Sequence, residues 1–97
     1  MFLVNLNFPD IKKLTPELMA EHVSYLEGHY KSGDLLFGGA KEPRTGAIII
    51  SRHPSKEVLR KVLEEDPFTK HGASTFTITE FVPVMASEEF SSLLKEP

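Results

Sequence analysis

The chain has 97 residues, 40% of them apolar and 26% charged, with a formal net charge of −3 and no cysteine. These totals fit one folded core and lie far from disordered or membrane-spanning compositions. They exclude disulfides and thiolate metal sites, and charges mixed along an acidic chain argue against a nucleic-acid surface, which needs clustered Lys and Arg.

No apolar run approaches the ~20 residues that span a bilayer. Asn5, Asn7, Pro9 and Asp10 interrupt the apolar start at Met1–Val4 too early for a signal-peptide core. The expectation is a cytoplasmic protein with no membrane partner, one domain over residues 1–97 with its core over about 1–84.

Phe2 to Phe8 alternates apolar and polar residues, the period of a strand with one buried face. Thr15-Pro16-Glu17 opens a helix: Thr15 caps, Pro16 suits the first helical position and Glu17 complements the dipole. Leu18, Met19, His22, Val23, Tyr25, Leu26, His29 and Tyr30 then recur at helical spacing as one broad stripe. Gly33 stops this helix, and Gly28 marks a point where a strand can approach closely.

Leu35 to Ala40 reads as a short strand with a bulge at Gly38-Gly39. It pairs through the turn at 41–45 with Gly46 to Ser51, a β-branched strand. Ser55 caps a second helix with Val58, Leu59, Val62 and Leu63 on its apolar face, ended by Asp66-Pro67-Phe68. Ser74 to Val84 reads as one long last strand, and Ser87 as the cap of a terminal helix over about 87–95.

The order β-α-β-β-α-β is that of an α+β ferredoxin-like sandwich, an antiparallel sheet with both helices on one face. In the third strand Ile48 and Ile50 point one way, Ala47 and Ile49 the other, so both sheet faces are apolar. The second face therefore needs cover. A second copy of the chain is the simplest cover, and the terminal helix is its rival.

Position decides which polar residues carry chemistry. His22 sits mid-stripe, where a core histidine needs a hydrogen-bonding partner. Asp66, before Pro67, reads equally as a turn or capping residue. His29 follows His22 by two turns, which permits a polar channel or an edge-of-core aromatic cluster with Tyr25 and Tyr30. At ~1.5 Å per residue the two rings stand about 10 Å apart, too far for one metal ion. His53 and His71 fall in loops and are expected in solvent. No phosphate loop, nucleophile elbow or pair of base-stacking aromatics is present, so neither a cofactor nor a nucleic acid is called for.

The helix bearing His22-Val23-Ser24-Tyr25-Leu26, the stop at Gly33-Asp34-Leu35-Leu36, Gly38-Gly39, and Asp66-Pro67-Phe68 followed by Gly72 together resemble the YciI-like (YCII-related) family over residues 1–84. The resemblance implies a ferredoxin-like fold paired into a dimeric α/β barrel, a homodimer or higher assembly, and a His and Asp acid/base dyad falling on His22 and Asp66. It points to a cofactor-free acid/base enzyme of lyase, isomerase or hydrolase type on a small organic molecule. Tyr25, Phe68 and His29 are the candidates to contact that molecule. The alternative is a non-catalytic small-molecule binding module or a structural dimer. The chain departs from the family pattern just before the histidine, where Met19-Ala20-Glu21 replaces the usual basic residue. Arg44 and Lys41 are the candidates to take over its role.

Overall fold

Alternation builds the first strand. The computed structural model describes residues 1–94, and in it β1 (Phe2–Asn7) buries Phe2, Val4 and Leu6 on one face and turns Leu3, Asn5 and Asn7 to the other. A short 3-10 turn at Ile11–Lys13, held by the Asp10 carboxylate, leads to α1 (Pro16–Ser32). Thr15 accepts the Leu18 N–H at 3.2 Å, and Gly33 closes the helix in the left-handed conformation at φ 85°.

Strands β2 (Leu35–Ala40) and β3 (Gly46–Ser51) form a hairpin; α2 (Lys56–Glu64) follows, capped by Ser55, then one turn of helix, α3 (Pro67–Lys70), and β4 (Thr75–Glu80). The sheet order is β2-β3-β1-β4, antiparallel at every pairing. This is the ferredoxin-like arrangement expected from the element order.

The core lies between the sheet and the helices. Val4, Leu6, Leu26, Leu35, Ile49, Leu59 and Leu63 pack together, while Leu18, Phe68 and Ala73 form a second cluster beneath Phe8 and Leu14. Close approach makes glycine obligatory at Gly46, where a Cβ would overlap the Leu6 carbonyl.

Several expectations change. The bulge in β2 falls between Leu35 and Phe37, while Gly38 and Gly39 pair regularly with Ile49 and Ile48. The missing side chain of Gly38 serves Tyr30 instead: a Cβ there would lie 2.7 Å from the tyrosine hydroxyl. Gly28 has nothing within 4 Å of where its Cβ would stand, so no strand approaches it. The α1 stripe is wider than its buried face: Leu18 and Leu26 are buried, but Met19 and Val23 are exposed. β4 ends at Glu80 rather than Val84, because its last paired residue faces Phe2 and only the Phe81 N–H still reaches the Met1 carbonyl, at 2.9 Å. Pro83 then has no N–H to extend a ladder.

Ser87 makes no side-chain cap. The terminal turn is a 3-10 helix over Glu88–Leu93, irregular at Phe90, and Lys95 of the expected helix lies outside the described residues. Phe90 and Leu93 share an apolar hollow with Phe37, Ile50 and Phe81 at one end of the outer sheet face.

His71 is exposed as expected, but His53 is buried, at 5% exposure. It sits just beyond β3, where the Ser51 hydroxyl meets its Nδ1 at 2.6 Å and also accepts its backbone N–H. A side chain two residues back thus supplies the partner that water would have given. Burial lowers the His53 pKa below 6.5, Asp34 raises it and His29 lowers it further.

Two outcomes follow from this packing. Gly46→Ala should cost roughly 1–3 kcal/mol, because the added methyl meets backbone rather than a movable side chain; urea unfolding should show a lower midpoint at unchanged slope. For His53 the unfolded chain takes up a proton near pH 6.5 and the folded chain only at lower pH. Its contribution to stability is therefore complete above 6.5 and is lost as pH falls from that value through the lower pKa of the folded chain. Melting temperature should fall less steeply from neutral to mildly acidic pH in His53→Gln than in the wild type.

Candidate functional site

His22 reaches its place because α1 lies on the sheet beside the junction of α2 and α3. The junction turns at Asp66, since Pro67 disfavours helical geometry in the residue before it. Asp66 adopts extended backbone and caps α3, accepting the Phe68 N–H at 2.9 Å on Oδ1. The same oxygen lies 2.8 Å from His22 Nδ1, across 44 positions of sequence. Asp66 is fully buried, and its second oxygen has no hydrogen-bond partner among the described residues.

A carboxylate only accepts, so His22 Nδ1 carries the proton and donates it to Asp66. In the neutral ring Nε2 then holds a lone pair, and it makes no hydrogen bond among the described residues. Phe68 fixes the plane of the imidazole: the two rings stack with centroids 3.8 Å apart and planes within 2°. Phe8 in turn meets Phe68 edge-on at 5.5 Å. One ring face of His22 is thus covered.

His22 and Phe68 line a cleft of about 340 Å³ between α1 and the β2–β3 hairpin. Phe8, Leu14, Leu26 and Ile49 make its apolar depth, and the exposed Met19 and Val23 form a rim. Gly38, Gly39 and Ala40 give it a smooth wall. Besides His22, the polar side chains in it are Tyr30 and Arg44. An apolar hollow with a few convergent polar groups is the usual form of a small-molecule site.

The structure thus brings His22, Asp66 and Phe68 together. Tyr25 and His29 are not among the cleft-lining residues. The Tyr25 hydroxyl donates to the Val62 carbonyl at 2.7 Å and so ties α1 to α2. Burial, then the charges of Glu65 and Asp66, raise its pKa. His29 stands between Tyr25 and His53, with ring centroids at 5.1 and 6.0 Å. Lys41 is engaged elsewhere, donating to Asn7 Oδ1 at 2.9 Å, whereas Arg44 lines the cleft. Tyr30 is the cleft residue that sequence reading did not single out. Its signal was the four-residue spacing of His22, Leu26 and Tyr30 along one helix face. Among the described residues no group of three His, Asp or Glu side chains is placed to hold a metal ion, and no helix is long and apolar enough to cross a membrane.

The solved structure of 5-chloro-2-hydroxyhydroquinone dehydrochlorinase from Burkholderia phenoliruptrix AC1100, in complex with 2,5-dihydroxybenzoquinone, shares the fold with a TM-score of 0.69 at 23% identity. The superposition covers 82% of this chain and 91% of that one. No curated protein sequence matches the chain. Residues 1–82 match the sequence profile of the YCII-related domain, and the chain belongs to that family.

Proposed function

We propose that this protein is a cofactor-free acid/base enzyme acting on a small organic molecule, with His22 moving the proton and Asp66 holding the ring. The observation that carries the reading is the 2.8 Å contact between His22 Nδ1 and a fully buried Asp66, which leaves Nε2 for a ligand in the cleft. With Nδ1 committed to a carboxylate, Nε2 is the basic nitrogen, and the charge it gains on taking a proton is balanced by Asp66. Phe68 contributes by position, since a ring stacked on the imidazole leaves the edge and the opposite face for approach.

Among lyase, isomerase and hydrolase chemistries, the dehydrochlorinase of the same fold favours elimination. His22 Nε2 would take a proton from the substrate, the freed electron pair would form the new double bond, and the leaving group would depart with its own pair. The proton then passes from Nε2 to solvent.

His22→Asn and Asp66→Asn should each lower kcat by about 10²–10⁴, the usual worth of a positioned general base, when assayed at a temperature where circular dichroism shows the variant folded, since losing one partner of the buried pair also lowers stability. Chloride release from 5-chloro-2-hydroxyhydroquinone is the first assay. On any substrate the wild type turns over, a fully active His22→Asn would end this reading.

We also propose that two chains pair through the outer sheet face into a dimeric α/β barrel. Leu3, Ile48 and Ile50 lie half-buried on the face opposite the core, the terminal 3-10 turn meeting Ile50 at one end, and Phe37 beside them is 58% exposed. The Asn5 side-chain oxygen Oδ1 on the same face is buried and has no hydrogen-bond partner among the described residues. Sedimentation velocity should give a dimer for the wild type and a monomer for Ile48→Lys, because a desolvated ammonium has no counter-charge there. A dimer that survives the substitution would place the interface elsewhere.

A further inference from the structure

The polar side chains of the cleft are unequal, and their imbalance bears on the ligand. Arg44 is its cation and makes no ion pair among the described residues. No Asp or Glu lines the cleft, and the carboxylate of Asp66 is buried and committed to His22. In a chain of net charge −3, the cleft is lined by one cation and no acidic side chain.

The turn carrying Arg44 is pinned to its neighbours. The Phe8 N–H donates to the Thr45 carbonyl at 2.9 Å, Lys41 N–H to the Gly46 carbonyl at 2.9 Å, and Thr45 N–H to the Pro43 carbonyl at 2.7 Å. The backbone that presents the guanidinium is therefore set, although the side chain itself is exposed. Facing the same space, the Tyr30 hydroxyl makes no hydrogen bond among the described residues. Met19 and Val23, one helical turn apart on the rim, leave 45% and 51% of their surface uncovered.

We infer that the cleft takes a small apolar carboxylate, its acid group held by Arg44 and oriented by Tyr30, its apolar body lying along Met19 and Val23 toward His22. A guanidinium matches a carboxylate with two parallel hydrogen bonds. A phosphate dianion would call for a second cation, and Lys41, the other candidate, is turned to Asn7. The inference rests on the acid/base reading for where reaction occurs, but its anion subsite is set apart from the dyad.

The test is a titration of the full chain followed by amide NMR, with benzoate, its neutral isostere benzamide, and phenyl phosphate as probes. Benzoate should bind saturably and shift Met19, Val23, Gly38 and Arg44, with benzamide about tenfold weaker or more, the worth of one charge-assisted pair. Arg44→Gln should bring benzoate down to the benzamide level, Tyr30→Phe should weaken it by a smaller factor, and Lys41→Gln should leave it unchanged. Benzoate that fails to bind, binds no better than benzamide, or ignores Arg44→Gln overturns the inference, as does tighter binding of phenyl phosphate. His22→Asn separates the two readings. Arg44-dependent binding that persists in an enzyme whose turnover ignores His22 fails the dyad alone, and His22-dependent turnover that ignores Arg44 fails the carboxylate subsite alone.

Discussion

A buried carboxylate must find donors, and the site depends on how Asp66 finds them. One oxygen accepts both the His22 ring and the Phe68 backbone N–H. That single atom joins the middle of α1, the end of α2 and the start of α3. Removing one partner of such a buried pair typically costs about 3–5 kcal/mol, because the remaining charge is left without compensation. The constraint that stabilises the helical layer also decides which nitrogen of His22 faces the cleft. Stability and site geometry are here the same hydrogen bond.

The aromatic side chains extend that constraint. Phe68 follows Asp66 by two residues, so the cap that fixes the carboxylate also brings the phenyl ring onto the imidazole it holds. Phe8, at the end of β1, braces Phe68 from the side. Phe68 and Phe8 together hold the His22 imidazole in one direction. The cost falls on α1, which leaves Met19 and Val23 in the open rather than in the core.

The same sheet serves two purposes through its two faces. Inward, Val4, Leu6 and Ile49 carry the core and Gly38, Ala40 and Ala47 form the wall of the cleft, where small side chains leave room. Outward, Leu3, Ile48 and Ile50 continue the apolar character, partly met at one end by Phe90 and Leu93 of the terminal turn. A strand with isoleucine on both faces cannot have water on either without loss, which is why β3 runs Ile48-Ile49-Ile50 at the centre of the fold.

The amino-acid sequence by itself determined the local elements, because those follow from short-range rules. Period-two alternation made β1, Thr15 with Pro16 opened α1, Gly33 closed it, and Pro67 turned the chain at Asp66. Their order was enough to specify the ferredoxin-like sheet. Tertiary structure decided what depends on distance. It brought together His22 and Asp66, 44 residues apart, and turned Lys41 to Asn7 while Arg44, three residues on, lines the cleft. It buried His53 in a segment that reads as loop, ended β4 at Glu80 opposite Phe2, and sent Tyr25 to α2 while Tyr30 joined the cleft. Capping and periodicity are set by neighbours within about one turn of chain, whereas burial and cleft membership are set by whichever surface packs opposite, and that surface exists only once the sheet has formed.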